Sequence, residues 1–266
     1  MQILIRRTLR LARLAVHLAL GLFQASLMFG FYSEQRKDQA ISRWSNKLLR
    51  ILGVRLLAGT PPSFPHGALL VANHISWLDI FVIHATRRVH FVSKHEIRNW
   101  PVFGWLAQRA GTLFIQRTRK SDAARVNLEM HSLLQDGAWV AVFPEGTSTN
   151  GRKLLRFLPS LFQPAVAENL PVVPAALRYQ TAEGAISDAA VYADDISIGQ
   201  SLWRITGETE IVAHLQFCAP IVGQNRRTLA ADARREIATC LGFEATGNPP
   251  ESPGDLPDPP LQTLAP

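Results

Sequence analysis

Cysteine is nearly absent. Cys218 and Cys240 stand alone with no CxxC spacing, which excludes a disulfide framework and a zinc ribbon and suits a reducing compartment. His84, His90 and His95 are scattered without ligand spacing, so no metal site is expected. There is no GxGxxG, Walker A or GxSxG, and no internal repeat. Dinucleotide binding, P-loop chemistry and a nucleophile-elbow hydrolase therefore have no support. A clean membrane span is lacking as well. The uncharged run Leu14–Phe31 holds 18 residues, interrupted in character by His17 and Gln24. As a helix it is about 27 Å long against a hydrocarbon core of about 30 Å. No small-x-small cleavage site follows it, which weakens a secretory reading.

Charge is present but uneven. Residues 1–60 carry ten Lys/Arg against Glu34 and Asp38, a surplus of eight in a chain whose total is +7. The basic character thus belongs to the N-terminus, interleaved with apolar residues in a way that favours a membrane surface over nucleic acid. In residues 40–57, Ile41, Trp44, Leu48, Leu52 and Leu56 share one helical face and Arg43, Lys47 and Arg50 another. That pattern predicts a helix lying among lipid headgroups. The alternative is that both segments are ordinary helices packing on a soluble core.

From residue 68 the chain alternates. Strands are predicted at 68–73, 89–94, 111–117, 138–144, 170–179 and 210–218, with helices between them. Pro101 opens one helix, Ser121 caps another that ends before Gly137, and Pro164 sits near the start of a third. This predicts an α/β domain, 61–245, with a mostly parallel central sheet covered by helices on both faces. It follows an N-terminal membrane-associated helical segment, 1–60. Residues 180–209 are less periodic and suggest an insertion or an edge hairpin. The tail 246–266, rich in proline and poor in large apolar residues, is predicted to be disordered.

Three strand ends carry polar residues. After the first comes Asn73-His74-Ile75-Ser76-Trp77-Leu78-Asp79. With His74 in the turn and Asp79 in the first helical turn, the carboxylate fixes one ring nitrogen and leaves the other as a general base. Ser76-x-x-Asp79 also has capping-box spacing, which makes Asp79 a helix-start residue and His74 an ordinary turn histidine. Phe143-Pro144-Glu145-Gly146-Thr147-Ser148 reads as a tight turn. The N–H groups of Gly146, Thr147 and Ser148 there can form a concavity for an anion, and Glu145 can accept a substrate hydroxyl or hold a neighbouring arginine. Arg117, at the end of 111–117, is either a solvated loop residue or a phosphate ligand.

These blocks, Asn73-His74-x-x-x-x-Asp79, Gly111 to Arg117, Phe143 to Ser148 and Pro171-Val172-Val173-Pro174, resemble the glycerolipid acyltransferase family in order and spacing. The bacterial 1-acyl-sn-glycerol-3-phosphate acyltransferases are the most similar group, over roughly residues 45–180. The resemblance implies transfer of a fatty acyl chain from a CoA or acyl-carrier-protein thioester to the hydroxyl of a lysolipid, with no cofactor beyond that co-substrate. It implies His74 as base, Asp79 as its partner, and Arg117, Glu145, Gly146 and Thr147 as substrate-binding residues. Two departures, Arg156-Phe157-Leu158-Pro159-Ser160 and Pro174-Ala175-Ala176, leave a lyso-ornithine-type acceptor open beside lysophosphatidate. Thioester supply places the body on the cytoplasmic face of the inner membrane, with the basic helices dipping into the leaflet and returning. A non-catalytic membrane scaffold is the reading from a different class.

Overall fold

The computed structural model describes residues 1–64, 66–100, 102–115, 120–193 and 195–244. Arg117 and the tail 246–266 lie outside the described residues. Two long helices open the chain, α1 (Gln2–Leu27) and α2 (Glu34–Leu52), followed by β1 (Val54–Ala58) and β2 (Ala68–Ala72). Then come α3 (Leu78–Thr86), β3 (His90–Lys94), α4 (Phe103–Arg109), β4 (Leu113–Ile115), α5 (Lys120–Gln135) and β5 (Trp139–Val142). The remainder is α6 (Gln163–Ala167), β6 (Val172–Thr181), α7 (Ile198–Gly207), β7 (Ile211–Phe217) and α8 (Arg226–Leu241).

The seven strands form one sheet in the order β1-β7-β6-β2-β5-β3-β4, parallel throughout except for the antiparallel pair β6–β7. All five residues of β2 are buried, as a strand covered on both faces requires. Period-two geometry sends Ala68, Leu70 and Ala72 into a core shared with α2 and α3, and Leu69 and Val71 into one shared with α5 and α8. The mostly parallel, doubly covered sheet expected from the sequence is therefore present.

Three expectations need correction. Residues 54–57 are strand, not the end of an amphipathic helix. α2 stops at Gly53, whose φ of +82° suits glycine, and β1 then pairs with β7 inside the sheet. Ile41, Leu48 and Leu52 face the protein core instead of lipid. Helix α5 begins at Lys120, so Ser121 lies inside it and is not its cap. Residues 180–187 form a tight turn bridged at Gln180 and Ile186, residues 188–193 run on as a strap, and α7 follows.

Helix α1 is unlike α2. Arg6 and Arg7 donate to the carbonyls of Gly207 and Trp203, and Arg10 donates to those of Thr206, Glu208 and Thr209. The arginines thus satisfy the carbonyl-rich C-terminus of α7. Ile5, Leu9, Val16, Leu20, Phe23 and Leu27 form an exposed apolar stripe on the same helix. Among the described residues no helix is long and apolar enough to cross a membrane.

Candidate active site

Parallel strands β2 and β5 lie side by side in register, Leu69 to Val71 against Val140 to Val142. Their C-terminal ends therefore bring residues 73–79 and 143–149 together, in the crevice where open α/β sheets hold ligands. As β2 leaves the sheet, the Asn73 side chain continues its ladder. Its Nδ2 donates to the Leu177 carbonyl at 3.0 Å, and its Oδ1 accepts from the Leu177 N–H at 2.7 Å. The next residue is freed to turn into the crevice.

That residue is His74. Its Nδ1 lies 2.8 Å from Asp79 Oδ2, and its ring stacks on Phe143 at 4.2 Å between centroids. Asp79 is fully buried and accepts four hydrogen bonds. Besides His74 they come from the N–H groups of Ile75 (2.8 Å) and Ser76 (3.0 Å) and from the Tyr179 hydroxyl (2.7 Å). The two readings of this stretch are thus compatible. Asp79 reaches back to Ser76 as a helix-start residue does, while Ser76 Oγ accepts from Leu78 instead of completing a capping box. With Nδ1–H given to Asp79, Nε2 is the ring atom left for other chemistry. Burial, then Asp79, pushes the Tyr179 hydroxyl well above its usual range, so it stays a donor.

Glu145 is turned inward, 7% exposed. One oxygen accepts from the His74 N–H at 2.9 Å and the other from Leu155 N–H at 2.8 Å. Burial raises its pKa to about 7, against the two N–H donors, which favour the charged form. Its carboxylate ties the turn after β2 to the connection after β5. Gly146 has φ +77° and gives its N–H to Phe143, closing the turn around Pro144. Thr147 is exposed, and both it and Gly146 line the cavity beside His74.

Sequence reasoning missed Asn73 as a ladder partner, Tyr179 as a ligand of Asp79, and the strap. Tyr192 of the strap donates its N–H to Ile75 and accepts from the Ser148 hydroxyl. A tyrosine in an apolar strand is the one signal available for Tyr179, because a buried phenol needs a partner. From His74 a cavity of about 340 Å³ runs inward between α2, α3 and α4 to α1, reaching Gly21, Ala25 and Trp44. His17, which weakened the first helix as a span, is buried against Trp44. It stacks on Trp44 at 4.7 Å and donates to its carbonyl at 3.0 Å.

Comparison with known proteins shows the family. The acyltransferase family model matches residues 58–178, and the chain belongs to the glycerolipid acyltransferase family. It is 36% identical over 184 residues to the 1-acyl-sn-glycerol-3-phosphate acyltransferase of Neisseria meningitidis, covering 69% of this chain and 72% of that one. It is 34% identical over 248 residues to the lyso-ornithine lipid O-acyltransferase of Pseudomonas aeruginosa, covering 89% of this chain and 94% of that one. The fold is similar to the crystal structure of the 1-acyl-sn-glycerophosphate acyltransferase PlsC of Thermotoga maritima, with a TM-score of 0.68 at 18% identity over 91% and 95% of the two chains.

Proposed function

We propose that the protein moves a fatty acyl chain from a CoA or acyl-carrier-protein thioester to the free hydroxyl of lysophosphatidate, giving phosphatidate. The observation that carries this is the 2.8 Å bond from His74 to Asp79 at the mouth of an apolar cavity. Asp79 holds the Nδ1–H tautomer. Nε2 removes the proton of the acceptor hydroxyl as its oxygen attacks the thioester carbonyl carbon. The tetrahedral oxyanion collapses, the carbon–sulfur bond breaks, and the imidazolium returns the proton to the departing thiolate. A thioester is already activated, so no covalent enzyme intermediate is required. The N–H groups of Thr147 and Ser148 serve the oxyanion, since that of Gly146 is committed to its turn. Arg117 serves the acceptor phosphate. The apolar cavity takes the acyl chain; its volume lies in the range of ligand sites.

The exposed stripe of α1 docks into one leaflet of the inner membrane at its cytoplasmic face, where thioesters are supplied. This stripe, and not α2, is the membrane-facing surface. A lyso-ornithine lipid acceptor is the second reading, favoured by the match to the Pseudomonas aeruginosa enzyme over 94% of its length.

Purified protein, labelled palmitoyl-CoA and a panel of lysolipids test both. Transfer to one acceptor identifies it. His74→Ala should lower transfer about 10²–10⁴-fold, the range of a general base, with an unchanged melting temperature. If that variant keeps wild-type transfer, His74 is not the base; if the wild type transfers to no lysolipid, the scaffold reading takes over.

A further inference from the structure

Helix α8 turns a charged side chain into the protein. Arg234 is 8% exposed, on the helix face that also buries Ala230, Ala233 and Ile237. A buried guanidinium is unfavourable unless its donors are matched. Its Nε donates to the Leu155 carbonyl at 3.0 Å, and its Nη2 to the Leu154 carbonyl at 3.1 Å. Both carbonyls belong to the connection between β5 and α6. Arg234 itself lies beyond residues 58–178, the stretch that the family model matches.

The next bonds lead to the active site. Leu155 gives its N–H to one oxygen of Glu145 at 2.8 Å, and the other oxygen takes the His74 N–H at 2.9 Å. The His74 carbonyl accepts from the Thr149 N–H at 2.8 Å. The main chain of His74 is therefore fixed on one side by Glu145 and on the other by Thr149. Arg234 stands three hydrogen bonds from it, through Leu155 and Glu145.

Charge acts in the same direction. Burial pulls the Arg234 guanidinium down and Glu145 opposes that, so guanidinium and carboxylate favour each other's charged form. Only the ionised carboxylate can accept on both oxygens, because protonation turns one of them into a donor. Burial raises Glu145 to about 7, so a nearby cation matters most around neutral pH.

We propose that Arg234 is a positioning residue for acyl transfer, holding Leu155 against Glu145 and, through Glu145, the main chain of His74. The proposal rests on the reading of His74 as the base. A reacting group needs to be held within about 0.5 Å of its productive place, and a misplacement of about 1 Å can lower the rate about 10²-fold.

The test is steady-state transfer from palmitoyl-CoA by the full chain, with the lysolipid that the wild type uses best. Arg234→Met keeps much of the stem and removes the donors and the charge. It should lower kcat about tenfold and leave both KM values within about twofold, since Arg234 does not line the cavity. Arg234→Lys, which keeps the charge and one donor, should restore part of kcat. In a Glu145→Gln protein, Arg234→Met should lower kcat less than about threefold, because the link it acts through is already broken. Should Arg234→Met fail to fold, Arg234→Gln takes its place with the same directions expected. A wild-type kcat in the variant overturns the proposal, as does a raised KM with kcat unchanged. So does a tenfold loss repeated in the Glu145→Gln protein, which makes Arg234 a support of α8 alone. Absence of transfer by the wild type, or wild-type transfer by His74→Ala, instead marks failure of the acyl-transfer reading, and the proposal falls with it.

Discussion

Helix α2 turns Ile41, Leu48 and Leu52 into the core and presents Arg36, Arg43, Lys47 and Arg50 to solvent. Helix α1 does the reverse, spending Arg6, Arg7 and Arg10 on the end of α7 and exposing Leu9, Leu20 and Phe23. The two have similar ingredients: aliphatic residues and arginine at helical spacing. What differs is the neighbour. α2 lies against the apolar face of the sheet and α3, which rewards buried leucines. α1 meets the unpaired carbonyls at the C-terminus of α7, which reward guanidinium donors. The apolar stripe of a helix thus declares that something will cover it, and the tertiary contacts decide whether that is the protein's own core.

The same insult to each helix should break the comparison if it is wrong. Leu48→Asp places an unpaired carboxylate at a fully buried site of α2 and should cost about 4 kcal/mol or more, read as loss of the cooperative unfolding transition. Leu9→Glu with Leu20→Glu, at sites 59% and 56% exposed on α1, should change unfolding stability by only about 0.5 kcal/mol per site. Sedimentation with phosphatidylglycerol vesicles should nonetheless fall tenfold or more. Equal retention of both proteins on vesicles would remove α1 as the docking surface.

The smallest effect is one of pH. At the start of α2, hydrogen bonds from Lys37 and then Arg88 hold Glu34 near pKa 2. A depressed carboxylate contributes stability that is complete above about 4.5 and lost as pH falls toward 2. Glu145, raised to about 7 by burial, acts with the opposite sign. The folded state binds its proton more tightly than the unfolded chain, so stability falls as pH rises from about 4.5 through 7. Glu34→Gln should flatten the acid side of a stability–pH curve and Glu145→Gln the window from 4.5 to 7, both measured by urea midpoints.

Much of the body was legible because its strands are short apolar runs closed by Gly or Pro, as at Ala68–Ala72 and Trp139–Val142. Strand β1 was not, since Val54-Arg55-Leu56-Leu57 extends the helical spacing of α2 and only the αL glycine before it marks the break. The antiparallel turn of β7 against β6 left no local trace. The contact between His74 and Asp79 was readable from five residues of spacing. Asn73 with Leu177 and Asp79 with Tyr179 were not, because each joins positions a hundred residues apart that only the strand order brings together. The N–H of Gly146 donates to Phe143 and closes the Pro144 turn, a local bond that the Pro-x-Gly spacing already implied.

Helix α1 has one more consequence. Gly21 and Ala25 on its inner side line the cavity, while Leu20 and Phe23 on its outer side are bare. On the acyl-transfer reading proposed above, with the outer side in lipid, an acyl tail held in the cavity and the tails of the bilayer would be separated by a single partition about 10 Å across. The grease-loving ends of both substrates would then remain in oil-like surroundings on either side of that wall, and only the reacting oxygen and carbonyl would need to meet in the polar doorway at His74.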